Sequence, residues 1–496
     1  MMSRTYSYIL AVAASGMVVF CALCLMSPER VVALSLSLIA AYALCCLKLL
    51  RKVILNSVAV LSKHPIRFLL LVLAFGVAAR LCLPFVGLAR CVRDESCMGA
   101  DYVVLWQCVK DVASGSWPIS KSWTTVVAYA GFCKVFGLTS WTAFCFSILL
   151  QGVTAILCYN LAALFFGCVA GVLAAAMLFL NPVFLCHCVN VATEHTFSLT
   201  IFLSMLLFIY ALIGTRRACW MCSAGAGVSV WFCVWSRGEG ILLWPVLLGT
   251  LALLCFVRRI PIRRGFAVLF ISLSCIVCGS VLALAVNHHT SGARTVLCSD
   301  DNWWPRLFGA NVATDGMVNS EDMWMIFRRY EKDNGDPFGW GEVAAHNTPV
   351  GFLAKCPPQV IPYISDEIIS RWSKMSFAEK IGFVLRKEIR DWAVDDTPLT
   401  MPRHKTLMFI QRVLVSIIPS VVVALASLWF IAIVLRRIEL NEQRVDMLIL
   451  LVAGLVAGSL CTYAIAESAP RYGWLLHIML PVFAAAVMAG QRKLRK

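Results

Sequence analysis

Apolar stretches long enough to cross a bilayer recur from one end of this chain to the other, with short polar breaks between them. A run of roughly 17–25 apolar residues matches a hydrocarbon core of about 30 Å. By that measure the candidate spans are 6–26, 31–50, 68–88, 140–160, 163–183, 195–213, 218–236, 240–257, 266–287, 407–435, 446–466 and 472–490. The expected fold is an all-α polytopic membrane protein of about 12 transmembrane helices, because a helix satisfies its own backbone groups in lipid. The first stretch lacks a small-residue cleavage site and a second follows closely, so it is read as a retained span and not a signal peptide.

Basic clusters orient the spans, since cytoplasmic loops carry the excess of Lys and Arg. With the N-terminus inside, Lys48, Arg51, Lys52, Lys63 and Arg67 lie inside. So do Arg216 with Arg217, Arg258 to Arg264, Arg436 with Arg437, and the C-terminal tail. Segment 122–138 could pass for a span by hydropathy, yet counting it would turn every later basic cluster outward. It is therefore read as an amphipathic helix in the outer interface, with Lys121 and Lys134 reaching headgroups. Outside then lie 89–139, 288–406 and the short turn at 467–471. The loop 288–406 is too long for a plain connector and shows helical periodicity at 359–373 and 376–393. Trp303, Trp304 and Trp324 in this loop also suit an interfacial belt. The expected organisation is a helix pair and cytoplasmic loop over 1–64, a core over 65–287, a small helical extracytoplasmic domain over 288–406, and closing spans over 407–496.

Composition agrees with a membrane class. Of 496 residues 60% are hydrophobic, and the formal charge is +16. In a soluble protein that charge would suggest nucleic acid. Here it sits in short clusters between spans, facing anionic lipid, and no nucleic-acid partner is expected. Most of the 23 cysteines fall inside spans, where cysteine acts as a small hydrophobe. Cys91, Cys97, Cys298 and Cys356 are loop exceptions, and Cys91–Cys97 or Cys298–Cys356 would suit a disulfide in an oxidising compartment. No CxxC with a His partner has zinc-ligand spacing, and no P-loop is present.

The candidate chemistry lies in charges at the span edges, which are costly in hydrocarbon and therefore point to a site. They are Asp101, Glu194, Arg237, Glu239, Glu467 and Arg471, and the threading puts all six on the outer side. Each also has a plainer explanation. Asp101 opens a stretch with apolar Val104, Leu105, Cys108 and Val109 at helical spacing, so it could cap a helix. Glu194 could stabilise a helix start through the dipole. Arg237 and Glu239 could pair with each other, and Glu467 with Arg471 across Pro470 could be an exposed ion pair of little worth. Taken together they suit a polar pocket with carboxylates to accept a proton and arginines whose planar fork grips phosphate.

These residues resemble the GT-C superfamily of integral-membrane glycosyltransferases, in the branch of the protein O-mannosyltransferases, the aminoarabinose transferases and their bacterial relatives. The similarity is carried by Asp101 and Tyr102, the helix to Val112, Gly115, Val135-Phe136-Gly137, and Glu467, Arg471 and Tyr472 as Glu-x-x-x-Arg-Tyr. The resemblance implies a GT-C-like core and a sugar donor linked to polyprenyl phosphate. It implies Asp101 as base, with Glu194 in the catalytic set. Arg471 would bind the carrier phosphate, alongside Arg237, Glu239, Glu467, Tyr472 and Tyr102 as substrate-binding residues. Two departures stand out: the extra helix pair 6–50, and the acidic pair Asp94-Glu95 upstream, which keeps the base open between Asp101 and those two. The acceptor would be a protein, glycan or lipid, at the outer face of a bacterial plasma membrane. No cofactor is required, although two carboxylates could hold a divalent metal. A lipid-linked sugar transporter or flippase, or a non-catalytic assembly factor for surface polysaccharide, are the alternatives. The absence of a visible internal repeat weighs against a transporter built of inverted repeats.

Overall fold

The computed structural model describes residues 2–25, 35, 60–85, 90–95, 100–116, 122–257, 259–291, 304–314, 320–335, 358–393, 405–434, 443–465 and 474–489. Throughout these residues the regular structure is helical. In chain order the main helices are α1 (Met2–Cys24), α2 (Pro65–Cys82), α3 (Ala100–Ala113), α4 (Trp123–Phe136) and α5 (Ser140–Phe166). Next come α6 (Cys168–Phe179), α7 (Pro182–His187), α8 (Thr193–Ile213), α9 (Arg216–Ser236), α10 (Leu243–Phe256) and α11 (Ile262–Ser291). They are followed by α12 (Ser320–Asn334), α13 (Ile361–Ser373), α14 (Phe377–Ala393), α15 (Lys405–Val434), α16 (Gln443–Ile465) and α17 (Trp474–Met488).

Among the described residues, six helical segments have the length and apolarity to cross a membrane: α2, α5, α8, α9, the segment Gly238–Phe256 that includes α10, and Ile262–Val286 of α11. Five shorter apolar helices accompany them, at Ile9–Ala22, Cys168–Phe179, Pro419–Val434, Val445–Cys461 and Ile478–Met488. The chain is thus a multi-pass membrane protein. The expected span 31–50 lies outside the described residues.

The expected break near residue 161 falls instead at Gly167. Helix α5 runs on to Phe166, and Gly167 then adopts φ +85°, a left-handed conformation open to glycine at little cost. Helix α6 starts at once and ends at Phe179 after 12 residues, about 18 Å of rise, too short to cross hydrocarbon alone. Helix starts elsewhere follow ordinary capping: the Thr139 hydroxyl accepts from Thr142 N–H, and Thr215 from Ala218 N–H. Near the Gly167 turn, Phe166, Trp429, Phe430 and Phe483 form a ring cluster with centroids 4.8–6.4 Å apart. In lipid such contacts hold helices through packing, not through exclusion of water.

The chain divides into two compact units. One comprises Met1–Cys298, Thr397–Val456 and Trp474–Lys496, and the other Ser299–Asp396 and Ala457–Gly473. In the second unit, α12 and α13 enclose Leu307, Phe308, Met323, Ile326, Phe327, Tyr330, Val360 and Ile364. Trp324 packs against this core, which accounts for it without a membrane belt. Arg371 of α13 binds Asp322 at 2.7 Å and Glu367 at 2.9 Å, and Asn311 donates to the other Asp322 oxygen at 2.8 Å. Both segments with helical periodicity in this loop are helices, α13 and α14. Helix α14 opens on a capping box: Glu379 accepts from Ser376 N–H, and the Ser376 hydroxyl accepts from Glu379 N–H.

Candidate active site

Helices α8 and α9 form an antiparallel hairpin of 21 residues per arm, each about 30 Å long. Its two ends differ in chemistry. At the end where α8 turns into α9, Arg264 donates to the carbonyls of Ala211, Gly214 and Thr215, satisfying the orphan acceptors of a helix C-terminus with a cation. At the other end stand the acidic start of α8 and the turn after α9.

At that second end the span-edge charges converge. Arg237 Nη1 donates to Glu194 Oε1 at 2.7 Å. On its other edge Nε donates to Glu239 Oε2 at 2.8 Å and Nη2 to Glu239 Oε1 at 3.1 Å, a bidentate fork. The side chains are largely withdrawn from solvent, at 10% exposure for Arg237, 5% for Glu194 and 19% for Glu239. Thr193 donates its hydroxyl to Glu194 Oε2, and the Arg237 guanidinium lies 5.6 Å from the Phe197 ring centre. The expected Arg237–Glu239 pair forms. Sequence reasoning missed that Glu194 completes it, because 43 residues separate the partners. Two carboxylates on one guanidinium leave the ionised triad at net −1.

Helix α4 is fastened to both arms of this mouth. Thr125 and Thr196 share a hydrogen bond of 2.6 Å, Thr124 donates to the Phe232 carbonyl, and Trp123 lies 5.9 Å from Trp235. One apolar core joins α3 residues Leu105, Trp106 and Val109 with Trp123 and Tyr129 of α4 and with Val189 and Val191, just before Glu194. Tyr102 is half-buried against it. Asp101 is the second residue of α3. The fold therefore brings the helix bearing Asp101 into the same core as the approach to Glu194, while the Asp101 side chain lies outside the described residues. Glu467, Arg471 and Tyr472 lie outside them as well.

Of the two rival carboxylates, Glu95 is engaged by Lys110 of α3 at 2.5 Å. Burial pushes its pKa upward, and the Lys110 hydrogen bond and charge outweigh this, holding the carboxyl below its ordinary range. Asp94 is exposed. Cys91 donates its thiol to the Val189 carbonyl, while Cys97, Cys298 and Cys356 lie outside the described residues. Among the described residues, no three His, Cys, Asp or Glu side chains are grouped to hold a metal.

One charge inside a span escaped the sequence reading. Arg80 of α2 is fully buried and bonded to Gln151. The rule that singled out Glu194, a charge within an apolar run, would have found it.

Spans of membrane length with ionised side chains gathered at one end of a central hairpin define a class: a multi-pass membrane protein carrying a polar site at the mouth of its helices. Residues 122–283 match the family model described as Dolichyl-phosphate-mannose-protein mannosyltransferase. That segment holds α4 to α10, and with them Glu194, Arg237 and Glu239. The resemblance to GT-C glycosyltransferases therefore rests on a matched family segment as well as on short motifs. Among solved structures, ArnT from Cupriavidus metallidurans bound to undecaprenyl phosphate aligns at 16% identity and a TM-score of 0.34, over 84% of this chain and 77% of that one. No curated protein matches the chain in sequence.

Proposed function

We propose that this protein transfers a sugar from a polyprenyl-phosphate-linked donor to an acceptor hydroxyl at the outer face of a bacterial plasma membrane. The observation carrying this reading is that the matched family segment contains Glu194, Arg237 and Glu239, which meet as one part-buried cluster at a helix mouth.

The step is a single inverting displacement. The acceptor oxygen bonds to the anomeric carbon as the bond from that carbon to the phosphate oxygen breaks. The electron pair leaves with the polyprenyl phosphate, and the hydroxyl proton passes to a carboxylate, assigned to Asp101. Arg471 of the Glu-x-x-x-Arg-Tyr motif neutralises charge on the leaving phosphate, supported by Glu467 and Tyr472. The fork of Arg237 already holds two carboxylates, and a net negative triad repels an anion. Arg237 therefore serves to hold Glu194 and Glu239 toward the acceptor and sugar, and Tyr102 of α3 serves as a further substrate contact.

Purified protein given a panel of polyprenyl-phosphate sugars should release free polyprenyl phosphate or label an acceptor, and Asp101→Asn should abolish this. A wild type inert across the panel would favour transport or assembly instead.

A further inference from the structure

Between α6 and α8 the chain runs for thirteen residues with one short helix, α7, and most of it is buried. The carbonyls at the C-terminal ends of α6 and α7, and those of the non-helical backbone after α7, need partners in such a place, because an unsatisfied one is costly. Side chains from several elements supply them. Arg80 Nη2 donates to Phe179 O at 2.9 Å, Gln151 Nε2 to Phe184 O at 2.6 Å, and His195 Nε2 bonds His187 O at 3.1 Å. Cys91 reaches Val189 O, and Ser147 reaches Asn190 O at 3.3 Å.

Three of these side chains form a directional relay. Arg80 has only donors, and its Nε points at Gln151 Oε1 at 2.6 Å, which fixes which end of the amide is oxygen. The Gln151 nitrogen then donates to Phe184 O and lies 3.4 Å from His195 Nδ1. His195 must accept at Nδ1, so its single proton sits on Nε2 and donates to His187 O. This arrangement suits a neutral imidazole protonated on Nε2, and the ring also bonds the Asn190 backbone. Arg80 is itself held, by Gly76 O at 3.0 Å and by stacking 3.9 Å from the Phe179 ring, which fits because position 76 carries no side chain.

We propose that Arg80 is a positioning residue for Glu194, acting through Gln151 and His195 to pin the connector 180–192 and the first turn of α8. This rests on the glycosyl-transfer reading for its catalytic consequence, but not for its structural content. Lysine at position 80 keeps the charge, yet one ammonium cannot span the carbonyls of Gly76 and Phe179 and the Gln151 amide together. A glutamate at 151 can still accept from Arg80 but cannot donate to Phe184 O or to His195.

The test uses full-length protein in nanodiscs, with Arg80→Lys and Gln151→Glu. Hydrogen exchange read by mass spectrometry should quicken in both variants over 180–196, by about tenfold or more, with the other spans unchanged. Transfer should fall roughly 10- to 100-fold in kcat with donor KM little altered, as expected when a group is displaced by about an ångström. In a Glu194→Gln background, Arg80→Lys should cost nothing further. Unchanged exchange, exchange raised across all spans, or additive kinetics would each overturn the proposal. If the wild type transfers no sugar the glycosyl-transfer reading fails, and the exchange pattern still decides the role of Arg80.

Discussion

Glu194 and Arg237 meet at 2.7 Å although 43 residues separate them, and the contact ties the first turn of α8 to the exit of α9. Arg237 also forks onto Glu239, so a single guanidinium links three consecutive elements at one mouth. Buried ion pairs add little net stability when intact, because desolvation offsets attraction, but removing one partner leaves a charge stranded.

Arg237→Met should therefore be the most damaging change in the triad. It leaves two carboxylates facing each other without a cation, at a cost of roughly 3–5 kcal/mol. Glu239→Gln leaves a one-to-one pair with Glu194 and should cost about 1–2 kcal/mol. Thermal unfolding in detergent should rank the variants in that order. Equal melting temperatures would mean that the triad does not form.

The rival bases separate by activity. Glu95 is engaged by Lys110, so Glu95→Gln should retain most transfer activity, whereas Asp101→Asn should lose about 10²- to 10⁴-fold. Comparison of kcat for the two variants checks this. A Glu95→Gln enzyme as inactive as Asp101→Asn would move the base upstream.

Hydrophobic runs made the helices legible from sequence, because length and apolarity are local properties that decide whether a segment can cross lipid. The Arg237–Glu239 pair was legible for the same reason, being two residues apart. Glu194 was legible as a costly charge, but its partner was not, since no local spacing encodes a contact between α8 and the end of α9. The turn at Gly167 was misplaced because residues 140–183 are almost uniformly apolar, and hydropathy does not mark where such a run folds back. Arg80 was passed over although the same criterion applies to it. Its partners Gln151 and His195 look unremarkable one at a time and become a relay only when three helices meet.

The Glu95–Lys110 pair also carries a pH signature. A carboxyl whose folded pKa is depressed contributes stability above its unfolded value, near 4.3, and loses it as pH falls through the folded value. Both side chains are about a third exposed, so the contribution should stay below about 1 kcal/mol. Wild type should melt slightly above Glu95→Gln at neutral pH, and the gap should close below about pH 4. A gap that widens on acidification would contradict the pairing.

The Gly167 turn is the last point at which a small change has a definite sign. At φ +85° an alanine is strained, whatever the space around it. Gly167→Ala should cost about 1–2 kcal/mol and loosen the junction of α5 and α6. Gly131 offers the control: it lies within α4, and a methyl there would meet nothing within 4 Å. Gly131→Ala should be neutral or should stabilise by up to about 1 kcal/mol, because alanine favours the helix. Melting curves of the two variants should therefore move apart from the wild type, Gly167→Ala downward and Gly131→Ala level or upward. If both fell equally, the left-handed turn at Gly167 would not be what joins these helices.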